Sequence, residues 1–194
     1  MRECSASWLS LPIRLESDAK WAVGVAAGAF ATRMAVGLYL GVAGMEPFEP
    51  EVIARHILAG EGFGHWHNEV YFRSLGSPPF AIVCTILYFL FGQAKSVLFF
   101  AQALVSAGLA VSCWFIGRRL FSPQVGLLAS VLVASHPGLF YYDTRKLAPL
   151  GFDAALVAGG IALCLRTQWS GRMAALAGLF HGIAVFERAP FVGL

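Results

Sequence analysis

From residue 20 onward the chain alternates long apolar runs with short polar interruptions. A helix needs about 20 apolar residues to cross a bilayer, and five segments approach that length. Residues 21–45 are broken only by Arg33, while 96–117 and 120–142 carry no charge. Residues 147–165 are broken only by Asp153, and 173–194 by His181 and the pair Glu187–Arg188. The pattern predicts an all-α, multi-pass helix bundle of about five spans. Residues 79–92 are apolar but short, opening at the second of two prolines and ending at Gly92. That length suits a helix lying at the interface or re-entering better than a span. Residues 50–60 predict a short surface helix: Pro50 opens it, and Gly60 and Gly62 stop it. Glu51 and Arg55 pair at i,i+4 on its solvated side, opposite Val52, Ile53, Ile57 and Leu58. Small residues four apart at Gly24/Gly28, Gly37/Gly41 and Gly178/Gly182 predict close helix packing.

Composition agrees with a lipid environment. Hydrophobic residues make up 58% and charged residues 13%, with mean hydropathy +0.68, whereas a soluble domain carries about 25% charged residues. The formal charge of +3 is small and dispersed, with no basic stripe, so nucleic acid is excluded as a partner. Cys4, Cys84, Cys113 and Cys164 lie far apart without metal-ligand spacing and read as buried small hydrophobes. Residues 1–20 are mixed in charge and precede a run too long for a secretory signal, so 21–45 is expected to be an uncleaved anchor.

Charge also orients the chain. With 79–92 on the outer surface, the cytoplasmic side holds Arg2, Arg14, Lys20, Arg118, Arg119, Arg166 and Arg172 against Glu3, Glu16 and Asp18. The outer side is then net acidic. Were 79–92 to span, the later loops would swap sides and the two faces would carry nearly equal charge. Lysine and arginine bias toward the cytoplasm sets orientation, so the first arrangement is expected: residues 1–20 cytoplasmic, 46–95 a large outer loop, the whole in the cell membrane.

That topology gathers acids on one side. Glu46, Glu49 and Glu51 follow the first span, Asp143 and Asp153 bracket the loop between the third and fourth, and Glu187 and Arg188 end the fifth. Ionisable groups at helix ends facing one aqueous cavity are functional candidates. Plainer readings stand beside them. Glu49 carries a charge that a helix N-terminus favours, Asp153 caps its helix, and Arg145 and Lys146 snorkel to headgroups. Arg33 pairs inside the bundle, and His136 and His181 pack between helices. His65-Trp66-His67-Asn68-Glu69 offers ligand types at alternating spacing but reads best as a wet loop.

Several stretches together resemble GT-C glycosyltransferases, in particular the bacterial proteins similar to dolichyl-phosphate-mannose protein mannosyltransferases and to the lipid A aminoarabinose transferase. Residues 48–63, Phe-Glu-Pro-Glu-Val-Ile-Ala-Arg-His-Ile-Leu-Ala-Gly-Glu-Gly-Phe, look like the start of that family's first outer loop. Ser77-Pro-Pro-Phe through Leu90-Phe-Gly, Gly117-Arg-Arg-Leu-Phe, Ser135-His-Pro through Tyr141-Tyr, the helix headed by Asp153, and Phe186-Glu-Arg-Ala-Pro follow in the family's order. The resemblance covers residues 20–194 and implies the N-terminal part of a longer module. It implies sugar transfer from a polyprenyl-phosphate donor to an acceptor on the non-cytoplasmic face. Carried over, Glu49 is the general base, with Glu46 as its alternate and Asp153 as the second acid. Asp143, Arg145, Lys146 and Arg188 are substrate-binding candidates, the three cations serving the phosphate. No cofactor is implied with certainty, a divalent metal stays open, and sugar and acceptor are unspecified. The rival expectation is a non-enzymatic membrane protein, a transporter subunit or an assembly partner.

Overall fold

A computed structural model describes residues 15–67, 70–72, 77–166 and 170–188. They form an all-helical fold. Its elements are α1 (Leu15–Leu40), α2 (Glu49–Leu58), α3 (Pro78–Phe91), α4 (Lys95–Leu120), α5 (Pro123–Ala134), α6 (Pro137–Arg145), α7 (Leu150–Cys164) and α8 (Gly171–Arg188). A 3-10 turn follows α1, and a small antiparallel hairpin, β1 (His65–His67) with β2 (Val70–Phe72), follows α2.

Among the described residues two helices are long and apolar enough to cross a membrane: the part of α1 from Lys20 to Leu40, 21 residues, and α4, 26 residues. A third crossing is available if α5 and α6 count as one span. The uncharged run at 120–142 is not one helix but two, bent by 44°. Pro137 is the cause, because inside a helix it removes a backbone donor and its ring clashes with the preceding turn. His136 restarts the helix, its Nδ1 accepting from the Leu139 N–H at 3.2 Å. It is therefore an exposed N-cap, correcting the expectation of a helix-packing residue. α7 has 15 residues, about 22 Å of helix, and α8 has 18. Residues 189–194, the end of the expected fifth span, lie outside the described residues.

α4 is the central helix, packed by α1, α5 and α7, and α8 packs on α7. Glycine sets the closest approaches. A Cβ on Gly117 would lie 2.8 Å from the Cα of Gly126, so α4 and α5 touch backbone to backbone. Gly37 receives the ring of Phe99, and Gly160 receives the ring of His181, which packs between helices as expected. The small-residue motifs fare differently. Gly24, Gly28, Gly178 and Gly182 have open space where a Cβ would stand, so those faces turn away from the neighbouring helices. Of the cysteines, Cys84 is buried as expected, whereas Cys113 is half-buried and Cys164 exposed.

α2 and α3 cover one end of the bundle. Pro50 stands in the first turn of α2, and Gly60 and Gly62 follow with φ of 80° and 90°. Two prolines open α3 and Gly92 closes it at φ 89°, so the short helices form where proline and glycine punctuate the sequence. Beneath them lies a core of Met45, Ala54, Phe80, Cys84, Tyr88, Leu98, Phe99 and Leu147. The Lys95 ammonium donates to the Met45 carbonyl at 2.7 Å, and the Glu46 N–H donates to the Arg145 carbonyl at 3.2 Å. The end of α1, the start of α4 and the end of α6 therefore meet at one end. Met45 and Lys95, which flank the segment carrying α2 and α3, therefore stand together at that end of the bundle.

Candidate functional site

The acids and bases at this end sort into an outward-facing pair and inward-facing networks. Outward, the Glu46 carboxylate meets the Lys146 ammonium at 3.1 Å, the side chains 64% and 29% exposed. A short parallel bridge between the two backbones holds them in register. The hydrogen bond that Lys146 donates to Glu46, together with the charge of that carboxylate, raises the Lys146 pKa. Arg145, exposed in the last turn of α6, lines an open groove of about 640 Å³ with Val36, Leu40, Phe140 and Tyr141. Glu49 is exposed in the first turn of α2, where the helix dipole favours a carboxylate. A cation lining an apolar groove suits an anionic headgroup, and the carboxylates suit hydroxyls.

Asp143 faces the other way. It is 1% exposed, and its Oδ2 accepts from the Arg33 Nε at 2.8 Å and from the Ser106 hydroxyl. Only a glycine fits opposite: a Cβ at Gly151 would stand 2.9 Å from the Asp143 Oδ1. Arg33, also 1% exposed, donates to backbone carbonyls as well. Its Nη1 reaches Ala134 at 3.1 Å and Ala29 at 3.3 Å, and its guanidinium lies 5.4 Å from the Phe140 ring centroid. The expectation that Arg33 pairs within the bundle holds. Asp143, expected at the substrate, is the partner. A charge at this depth is tolerated only when paired, and that requirement outranks exposure.

Asp153 is buried in the first turn of α7. It lines a separate groove of about 520 Å³, otherwise apolar, with Leu109, Cys113, Val133, Leu139 and Val157. Asp143 instead lines a narrow cavity of about 50 Å³ beside Cys84, Gln102 and Phe152. The two aspartates thus open onto different spaces. Arg188 ends α8; its side chain lies outside what is described.

Two further networks fasten α2 and α3. The Tyr88 hydroxyl donates to the Glu51 Oε1 at 2.9 Å, and the Arg55 Nε donates to the same oxygen at 2.6 Å. Glu51 thus pairs with Arg55 as expected, but inward, at 1% exposure. Burial, and then the hydrogen bond to Glu51, push the Tyr88 phenol above its usual range. At the other end of α3, the Glu187 Oε2 accepts from the Phe80 N–H at 3.1 Å.

One cluster escaped the sequence reading. Glu61, between Gly60 and Gly62, joins α2 to the hairpin. Its carboxylate contacts the His56 Nδ1 at 2.5 Å and accepts from the Trp66 Nε1 at 3.3 Å, and its backbone carbonyl accepts from the Tyr71 hydroxyl at 3.0 Å. The hydrogen bonds from His56 and then Trp66 lower the Glu61 pKa. The Gly-Glu-Gly triplet was the available signal, since glycines on both sides mark a backbone bent to present the residue between them.

Among the described residues no three His, Cys, Asp or Glu side chains assemble a metal-binding group. Asn68 and Glu69 of the His65–Glu69 stretch lie outside the described residues. No protein-family model matches the chain, and no curated protein or solved structure matches it either.

Proposed function

We propose that this chain is part of a GT-C-type membrane glycosyltransferase that moves a sugar from a polyprenyl-phosphate donor to an acceptor on the non-cytoplasmic face of the cell membrane. In this reading α1, α4, the bent pair α5–α6, α7 and α8 are the five spans, the N-terminus is cytoplasmic, and α2 and α3 lie on the outer surface. The observation that carries it is the contact of Glu46 with Lys146. It joins the loop that bears the carboxylates to Lys146, the neighbour of the groove-lining Arg145.

The chemistry follows from those groups. The acceptor hydroxyl gives its proton to Glu49 as its oxygen attacks the anomeric carbon. The bond from that carbon to the lipid phosphate breaks, and the phosphate leaves with the electron pair. Lys146 and Arg145 offset its charge where it develops. Glu46 orients Lys146, and Asp153 serves as the second acid at the lipid side.

The test has two parts. Cysteines at Glu49, Lys146 and Arg118 are labelled with a membrane-impermeant reagent on intact cells; the first two should react and the third should not. Membranes containing the chain are then given a radiolabelled polyprenyl-phosphate hexose. Glu49→Gln should lower transfer by about 10²–10⁴-fold, the contribution of a general base. Transfer unaffected by Glu49→Gln removes Glu49 from the mechanism. Labelling of Arg118→Cys from outside, or no transfer by the parent chain, favours the transporter-subunit or assembly-partner alternative.

A further inference from the structure

The bend between α5 and α6 exposes a difficulty that Arg33 resolves. Pro137 cannot donate to a carbonyl of the preceding turn, and helix ends in hydrocarbon must find other partners for their carbonyls. The carbonyl of Ala134, the last residue of α5, accepts from the Arg33 Nη1 at 3.1 Å. The same guanidinium holds α6 at two places, Phe140 by its ring and Asp143 by its carboxylate. One side chain from α1 therefore grips both sides of the break, and Ser106 of α4 braces Asp143 from a third helix. Lys146 directly follows the end of α6, three residues beyond Asp143, and the Arg145 carbonyl between them receives the Glu46 N–H.

We infer that Arg33 is the positioning residue of the outer site: through Asp143 it sets the direction of α6, and through α6 the placement of Lys146 against Glu46. The geometric part stands without the transferase reading; its consequence for phosphate binding rests on that reading. Stability alone does not explain the pair. A buried ion pair replaced by apolar side chains of similar volume commonly leaves a protein as stable as before, because the charges no longer have to be desolvated. What apolar side chains cannot do is fix a direction, and the forked guanidinium does so through two bonds that leave α1, one to Ala134 and one to Asp143.

The experiment reads geometry first. In a background with Cys4, Cys84, Cys113 and Cys164 replaced by alanine, one cysteine pair is placed by Glu46→Cys with Lys146→Cys. A reference pair is placed by Gly160→Cys with His181→Cys, where α7 and α8 touch. Rates of disulfide formation in native membranes are compared with and without the double change Arg33→Met, Asp143→Val. The expected result is a fall of about tenfold at the 46–146 pair, since reaction rate depends steeply on held geometry, with the reference pair unchanged. An unchanged rate at 46–146 overturns the inference. A fall at both pairs also overturns it, assigning Arg33 to the stability of the whole bundle. The transfer assay separates the two proposals: loss of the 46–146 crosslink in a chain whose parent transfers no sugar upholds the positioning role and sinks the transferase reading.

Discussion

The carboxylate of Glu187, near the end of α8, accepts a hydrogen bond from the backbone N–H of Phe80, in the first turn of α3, at 3.1 Å. Ser77, the residue before that helix, supplies no side-chain cap. The first N–H groups of a helix have no partner within it, so an acid 107 residues away does the work of a cap and brings a charge that the helix dipole favours. Glu187→Ala should lower stability by about 1.5–3 kcal/mol, the range for hydrogen bonds to charged groups. Glu187→Gln, which keeps an acceptor oxygen, should lose less. Thermal unfolding in detergent measures both.

Arg33 and Asp143 should show the asymmetry of buried ion pairs. Asp143→Ala leaves the guanidinium buried without its counter-charge and should cost about 3–5 kcal/mol. Replacing both partners by apolar residues should cost far less than that single change. Equal losses for the single and double variants would show that the pair carries net stability.

The Glu61 cluster should respond to acid. Its carboxyl titrates below its unfolded value because His56 and Trp66 hydrogen-bond to the ionised form. A depressed pKa contributes stability that is complete above the unfolded value of about 4.3 and is lost as pH falls through the folded value. Hydrogen-exchange protection of Trp66 and Tyr71, corrected for intrinsic rates, should therefore decline on acidification through that range. Glu61→Gln should start lower and show a flatter profile. A profile in the variant identical to the parent's would assign the docking of the hairpin to other contacts.

Glycine contacts make opposite forecasts along the bundle. At Gly126 an added Cβ would stand 2.5 Å from the Trp114 carbonyl oxygen, so Gly126→Ala should destabilise by about 1–3 kcal/mol through overpacking. At Gly28 nothing lies within 4 Å, and Gly28→Ala should be neutral or stabilise by up to about 1 kcal/mol through helix propensity. Comparison of the two melting temperatures checks the packing directly.

Local punctuation was legible in the sequence; long-range pairing was not. Pro50 with Gly60, and the two prolines with Gly92, bound α2 and α3 closely, because each residue restricts its own φ or frees it. The i,i+4 pair of Glu51 and Arg55 was legible for the same local reason, though its inward turn toward Tyr88 was not. The break at Pro137 was hidden by the uniform apolarity around it, which hydropathy reads as one run. Arg33 was expected to pair inside the bundle, and Asp143 was read as an acid bracketing a loop. Their 110-residue separation gave no reason to join them, so Asp143 was expected at the substrate. The hairpin strands have three residues each, too few for an alternating pattern to register. At the candidate site, the acids that follow α1 and the Arg145–Lys146 pair were both picked out; the register that brings Glu46 to Lys146 needed the fold.

The polar ties of this bundle crowd toward one rim, where Lys95 holds Met45, Lys146 holds Glu46 and Glu187 holds the start of α3. At the opposite rim the prominent contact is the bare backbone approach of Gly117 to Gly126. Lipid tails replace lost van der Waals contacts at little cost but offer nothing to an orphaned hydrogen bond. In a bilayer, parting the helices would therefore cost less at the Gly117–Gly126 end than at the end that carries the carboxylates.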